Sequence, residues 1–162
     1  MTLPASPGIT EYSTPSDREV RMARRIAAPR TLVFRAWTEP ALISKWLLGP
    51  EGWSMPVCEF DARAGGRWHY VWRKGDGTEM GMNGAIVEFV PPERMVTTER
   101  WGPEWPETLN TLVLTEAGGE TMMTLTVLYP SREARDAALA TGMKEGTEAS
   151  FARLDACVAG LA

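Results

Sequence analysis

The chain has 162 residues, of which 44% are hydrophobic and 23% are charged, and these proportions exclude a disordered or low-complexity protein. A formal net charge of −4 argues against nucleic acid as the main partner, because binding to phosphates requires a basic surface. No apolar run approaches the roughly 20 residues that span a bilayer, and the N-terminus lacks the basic and apolar regions of a signal peptide. We therefore expect a soluble cytoplasmic protein that does not bind membranes.

The N-terminal residues differ in composition from the rest of the chain. Residues 1–16 are rich in Thr, Pro and Ser and show no apolar period. We expect them to form a flexible arm or an edge extension, followed by one domain over residues 17–162 without an interior linker. Residues 19–26 (EVRMARRI) alternate loosely between apolar and polar side chains, which predicts the first strand.

Two short helices are expected after this strand. Pro29 suits the first turn of a helix, because its missing N–H would have no partner there, and apolar residues follow at helical spacing as far as Trp37. A second short helix is predicted over Pro40 to Leu48. Gly49-Pro50 is expected to end it.

From residue 55 onwards the hydrophobic period changes to two, which predicts an antiparallel sheet. Trp68, Tyr70 and Trp72 fall on one face of one strand. The Asp-Gly pair at 76–77 is typical of a hairpin turn, and Gly84 is expected to form a β-bulge. The strands are predicted at residues 55–61, 67–73, 78–90, 94–101, 109–115 and 121–129.

The C-terminal region predicts helices, of which the last is long. Ser131 is expected to cap a short helix, and Gly142 separates it from a helix over residues 143–161. A sheet must bury one face, and only this last helix is long enough to cover it. We therefore expect an α+β fold in which a curved antiparallel sheet of about six to seven strands wraps around the helix.

The start of the long helix carries small residues: Gly142, Gly146 and Ser150. In the expected fold they face the aromatic strand at 67–73. Small residues opposite a concave sheet either permit close packing or leave a cavity. The aromatic rings therefore either fill the interior or line a hollow, and composition and periodicity leave both alternatives open.

Four segments in consecutive order carry a family resemblance: APRTLVFRAWTEP (28–40), CEFDARAGG (58–66), GAIVEFVPPERMV (84–96) and YPSREARDAALATGM (129–143). Together they resemble the activator of heat-shock protein 90 ATPase homologue family, within the START/Bet v 1-like (SRPBCC) superfamily. The resemblance implies a helix-grip fold with a deep pocket for an apolar ligand between sheet and long helix. A chaperone interaction is not expected, because the eukaryotic activators add a second, N-terminal domain that this short chain would not accommodate.

The expected ligand-binding residues are mostly large and apolar. Seven tryptophans are many for this length, and methionine side chains adapt their shape to a ligand. Taken singly, each is an ordinary candidate for the core; taken as a set, they suit a small-molecule site. The apolar set comprises Trp46, Trp53, Trp68, Tyr70, Trp72, Met80, Met82, Trp101, Met143 and Phe151.

Three polar residues are weaker candidates for chemistry: Glu88, Glu99 and His69. Glu88 shares strand parity with Met80 and Met82, so one alternative is that it points inward, where burial would raise its pKa and suit it to acid–base work. Alternatively, a bulge turns it outward or an arginine pairs with it. With two cysteines and one histidine in the chain, no metal site is expected, and no cofactor is predicted.

Three functions are compatible with these residues. The favoured one is a module that binds a hydrophobic or aromatic small molecule. A cyclase- or hydrolase-type enzyme would use Glu88 or Glu99 as acid and base, with His69 or Tyr70 assisting. A protein-interaction module, either co-chaperone-like or a homodimer, would use the WGPEWPE loop at 101–107.

Overall fold

The computed structural model describes Pro4 and residues 6–162. Helices and strands follow the expected order, with one additional strand near the N-terminus. Their bounds are β1 Thr10–Ser13, β2 Glu19–Ile26, α1 Arg30–Thr38, α2 Pro40–Trp46, β3 Trp53–Phe60, β4 Arg67–Lys74, β5 Glu79–Val90, β6 Arg94–Glu99, β7 Thr108–Ala117, β8 Glu120–Leu128, α3 Arg132–Ala140 and α4 Met143–Ala159.

The strands form one antiparallel sheet in the order β1-β2-β8-β7-β6-β5-β4-β3. Strands β3 to β8 follow one another as neighbours, whereas β2 pairs with β8 from Glu19↔Leu128 to Ile26↔Thr121. The sheet curves around α4, and α1 and α2 pack against the same helix. The expected α+β class and the wrapping of the sheet around the last helix are confirmed, with eight strands rather than six or seven.

The additional strand lies within the predicted flexible arm. Thr10–Ser13 pairs with β2 from Thr10↔Arg24 to Ser13↔Arg21, so the alternative of an edge extension is correct for these residues and a flexible arm is wrong for them. Residues 1–3 and 5 of the predicted arm lie outside the described part of the chain. Strand β1 lacked an apolar period because polar contacts hold it: the Tyr12 hydroxyl donates to Glu148 Oε1 of α4 at 2.7 Å.

Arg24 extends this polar contact between the sheet edge and α4. Its side chain is only 3% exposed, and its guanidinium lies 2.6 Å from Asp155 Oδ2. The same group donates to Thr10 Oγ1 at 2.7 Å. A buried arginine must be paired to offset its lost hydration. Arg24 of β2 therefore links Thr10 of β1 to Asp155 of α4.

The aromatic strand has the orientation that its alternation predicts. Trp68, Tyr70 and Trp72 of β4 are buried, whereas His69 and Arg73 between and beside them are exposed. On α4, Phe151, Leu154 and Val158 are buried against the sheet side. The predicted cap of α3 is also confirmed, since Ser131 Oγ accepts a hydrogen bond from the Ala134 N–H at 3.0 Å.

Gly84 has a different role from the β-bulge that the sequence predicts. The β4–β5 register runs without interruption through Trp68↔Gly84, and the irregularity in β5 lies between Ile86 and Glu88. A Cβ atom at Gly84 would overlap the carbonyl oxygen of Thr98 and lie 2.7 Å from Trp68 Nε1. Glycine is therefore required for a close approach, which lets the Trp68 indole donate to that carbonyl at 3.1 Å.

We expect Gly84→Ala to destabilise the fold by about 2–3 kcal/mol, because the overlapping atom belongs to the backbone and must displace a strand. Gly81→Ala on the same strand is the matched control, since its added Cβ would lie 3.8 Å from the nearest atom, Tyr70 O, and its effect should stay within about 0.5 kcal/mol. Urea unfolding of both variants measures the difference. Equal stabilities would contradict the assigned role of Gly84.

Candidate functional site

A cavity of about 670 Å³ lies between the concave face of the sheet and α4. Its size falls within the range of about 300–1,000 Å³ that small-molecule sites occupy. Residues from both sides line it, including Trp68, Tyr70 and Trp72 of β4 and Gly142, Gly146 and Ser150 at the start of α4. The aromatic face of β4 and the small residues of α4 therefore lie opposite each other across a cavity. Of the two alternatives that the sequence left open, close packing or a cavity, the cavity is correct.

Hydrogen bonds hold the indoles of β4 in place. Trp72 Nε1 donates to the Leu47 carbonyl at 2.7 Å, and Trp68 Nε1 donates to Thr98 as described. Trp72 also stacks on Trp101, with ring centroids 5.4 Å apart and planes within 11°. Because both indole N–H groups already donate to backbone carbonyls, the rings present mainly apolar surface to the hollow.

The helix side of the cavity depends on a loop that the sequence did not connect to it. Gly49 and Pro50, which follow α2, lie against the first turns of α4. Ser150 Oγ accepts a hydrogen bond from the Gly49 N–H at 2.8 Å, and Arg153 Nη1 donates to the Gly49 carbonyl at 2.7 Å. A Cβ atom at Gly146 would lie 3.3 Å from Pro50 Cδ, so the small residues of α4 admit this loop.

Glu99, at the end of β6, supplies a carboxylate to the cavity wall. Trp101 Nε1 donates to its Oε1 and Asn110 Nδ2 to its Oε2, each at 2.6 Å. Desolvation by burial raises the pKa of Glu99, and these two hydrogen bonds oppose that shift. The group can therefore hold or release a proton within a largely apolar hollow.

Two tyrosines face the same space. Burial, with a smaller contribution from the Glu99 charge, raises the pKa of Tyr129 to about 12. The pKa of Tyr70 is raised in the same direction, first by desolvation and then by Cys58 and Glu99. Both phenols are therefore neutral at physiological pH and act as hydrogen-bonding groups near the carboxylate.

Most of the predicted apolar site residues line the cavity. Trp46 does not: it is 0% exposed, and its Nε1 donates to the Ala36 carbonyl at 2.8 Å, in the core between α1 and α2. The predicted residues in the cavity wall are Trp53, Trp68, Tyr70, Trp72, Met80, Met82, Trp101, Met143 and Phe151.

Glu88 and His69 lie outside the cavity, so an inward-pointing Glu88 is wrong and the alternative, an outward side chain that pairs with an arginine, is correct. Its side chain is 48% exposed and pairs with Arg94 at 3.3 Å, because the register shift between Ile86 and Glu88 reverses the parity of β5. His69 is 47% exposed and lies 3.3 Å from Glu59 Oε1, on the opposite face of β4. Of the three polar candidates, only Glu99 reaches the cavity.

Several cavity residues were not among the candidates. Asn110 and Thr108 lie on the buried face of β7, as Leu112 and Leu114 do. The alternation of β7 could therefore have indicated them, because it places two polar residues at inward positions. Trp37 had no such signal, because it lies on a helix; its buried indole N–H has no hydrogen-bond partner in the described part of the chain. Further cavity residues that were not predicted are Met22, Leu47, Met95, Trp105, Leu125, Val127 and Tyr129.

Among residues 4 and 6–162, no helix is long and apolar enough to cross a membrane. Within the same residues, no three His, Cys, Asp or Glu side chains are grouped so that they could hold a metal ion.

Comparison with solved structures shows close relatives of this fold. A protein from Rhodobacter sphaeroides is 32% identical in sequence and superposes with a TM-score of 0.89, covering 93% of this chain and 98% of its own. A protein from Nitrosomonas europaea is 24% identical, with a TM-score of 0.81 over 91% of this chain and 98% of its own. These structures confirm a Bet v 1-like fold of the SRPBCC superfamily.

Sequence comparison adds the family. No curated protein matches the chain. Residues 27–159, which include all four segments that carried the resemblance, match the family described as Activator of Hsp90 ATPase homolog 1-like protein. Because this match spans most of the chain, the protein belongs to the Activator of Hsp90 ATPase homolog 1-like family.

Proposed function

We propose that the protein binds a hydrophobic or aromatic small molecule in the cavity between the sheet and α4. The observation that carries this proposal is the hollow of about 670 Å³ between the β4 rings and the start of α4. Protein interiors normally pack without such voids. A small-molecule site combines an apolar lining with a few placed polar groups, which here are Glu99, Asn110 and the two phenols.

The cavity has an accessible rim. Trp101 and Trp105 belong to its wall and are also 36% and 38% exposed. A side chain that is both lining and exposed lies where the hollow meets solvent, so the loop between β6 and β7 borders an entrance. A ligand entering there would bury these two indoles and gain apolar contact area.

An enzyme remains the second proposal, with Glu99 as its one candidate acid or base. Glu99 would act as acid or base, with Tyr70 or Tyr129 as the neighbouring hydrogen-bonding group. Glu88 and His69 have no part in it, because both lie outside the cavity. The homodimer and co-chaperone hypotheses stay predictions; the loop proposed for them contributes Trp101 and Trp105 to the cavity wall instead.

Filling the cavity tests the binding proposal. Thr147 lines the cavity from α4, and Thr147→Phe would place a ring in the hollow. We expect the affinity for the neutral fluorescent probe N-phenyl-1-naphthylamine to fall about tenfold or more, which corresponds to about 1.4 kcal/mol of lost binding free energy. Fluorescence titration measures the affinity.

Ala152→Phe is the matched control, since it adds the same ring at an exposed position of the same helix, outside the cavity wall. The control should retain the affinity of the unmodified protein. If both variants bind the probe equally, the cavity is not its site. Native mass spectrometry of the unmodified protein, purified without detergent, measures whether a cellular small molecule is retained.

Glu99 should leave a signature in the dependence of stability on pH. Its folded-state pKa is raised above the ordinary 4.5, so the folded state holds more protons than the unfolded chain once the pH exceeds about 4.5. The free energy of unfolding therefore contains a contribution that falls as the pH rises from 4.5 through the folded-state pKa. Glu99→Gln removes this contribution.

The measurement is urea unfolding of the unmodified protein and Glu99→Gln at several pH values from 4 to 8. We expect the stability of the unmodified protein, relative to the variant, to decline across this range. Glu107→Gln, at an exposed position of the same loop region, should show no such trend. A difference that does not change with pH would show that Glu99 is not desolvated as described.

A further inference from the structure

The charged residues that line the cavity wall are all of one sign. Among the described residues, Glu99 and Glu104 are the charged residues of the wall, and the wall contains no Lys, Arg or His. Lys74 lies over the Trp53 ring, 5.4 Å from its centroid, but is not part of the wall. The buried Arg24 is already paired with Asp155.

The Glu99 carboxylate is oriented and still has acceptor capacity. Its two hydrogen bonds come from an indole and an amide, and neither donor carries a charge. An ionised carboxylate offers about four lone-pair positions, so positions remain on both oxygens for a ligand. The protein thus fixes the direction of the group without neutralising it.

Aromatic side chains share the cavity wall with this carboxylate. Trp101, which donates to Glu99, stacks on Trp72, and Tyr70 meets Trp72 edge to face with centroids 5.8 Å apart. The faces of Trp and Tyr rings attract cations through their quadrupoles, and the attraction grows when the cation is desolvated. A carboxylate beside indole and phenol rings is therefore a favourable environment for a positively charged group.

We propose that the ligand is an apolar molecule with a positively charged nitrogen, such as a protonated amine, that pairs with Glu99 among the rings of Tyr70, Trp72 and Trp101. This inference rests on the proposed function and specifies the ligand class of the same cavity. An apolar acid would place a second negative charge beside Glu99, where no residue of the wall can compensate it. The apolar remainder of the ligand would contact the methionines and leucines of the wall.

The partial burial of Glu99 is consistent with this assignment. Desolvation raises the pKa of its carboxyl group, which means that the ionised form lacks a compensating charge in the protein alone. A bound cation would supply that charge within the hollow.

The test compares three probes with one alkyl chain and different head groups: decylamine, decanol and decanoate, each measured by tryptophan fluorescence and calorimetry at pH 7. We expect decylamine to bind about tenfold or more tightly than decanol, the effect of a charge-assisted hydrogen bond, and decanoate to bind most weakly. The preference should persist at high salt, because attraction to the protein's overall negative charge is screened there.

Two variants assign the preference to one carboxylate. Glu99→Gln should reduce the ratio of decylamine to decanol affinity to within about twofold. Glu107→Gln removes the same charge from an exposed residue outside the wall and should keep the ratio. The rank order of the three probes on the unmodified protein tests the proposal even if Glu99→Gln does not fold.

The outcomes separate the two proposals. If N-phenyl-1-naphthylamine and decanol bind while decylamine binds no more tightly than decanol, the assignment of a cationic ligand is overturned and the cavity proposal stands. Tighter binding of decanoate would overturn it equally. If none of the probes binds, the proposed function fails, and the ligand class fails with it.

Discussion

The separation between the β4 rings and the start of α4 is the constraint on which the rest of the structure depends. Left to apolar attraction alone, three large aromatic side chains opposite a helix of small residues would collapse onto it. Two indole hydrogen bonds oppose that collapse by tying Trp68 to β6 and Trp72 to the segment after α2. On the other side, Gly49 is bound by both Ser150 and Arg153, so the helix cannot approach the sheet without displacing this loop.

The Glu99 carboxylate destabilises the folded state in the same cavity, because it is partly desolvated. A buried carboxylate is unfavourable unless it is paired or fully hydrogen-bonded, and here the protein supplies two neutral donors and no cation. A leucine at this position would be the simpler choice for a domain that needs only a core. An incompletely compensated charge in an apolar hollow is the kind of local conflict that folded proteins keep at functional sites.

The elements with strong periodicity could be predicted from the sequence alone. The two-residue alternation gave β4 its orientation correctly, and the length of the last helix identified the element that the sheet must cover. Strand β1 could be predicted only as one of two alternatives, because it is held by Tyr12 and Arg24 rather than by apolar residues. The orientation of Glu88 stayed open for a related reason: a one-residue irregularity in β5 reverses which face a side chain takes, and the alternation alone does not locate it.

The walls of the cavity could be predicted from the sequence, but the space between them could not. Both of its walls followed from patterns within single elements, whereas the distance between them depends on contacts among residues about a hundred positions apart, as Gly49 and Ser150 show. Trp46 illustrates the same limit, because a tryptophan that fills the space between two helices and one that lines a hollow look alike in sequence. The pattern within one element predicts which way a side chain points. Whether space remains between two elements depends on how the whole chain packs.

The pairing of β2 with β8 has a consequence for how the chain reaches this state. Glu19 meets Leu128 across the sheet, so β2 has to wait for the synthesis of β8 before the sheet is continuous. Contacts of such long sequence separation form slowly. During synthesis the tryptophans of β4 are therefore exposed before α4 exists to cover them.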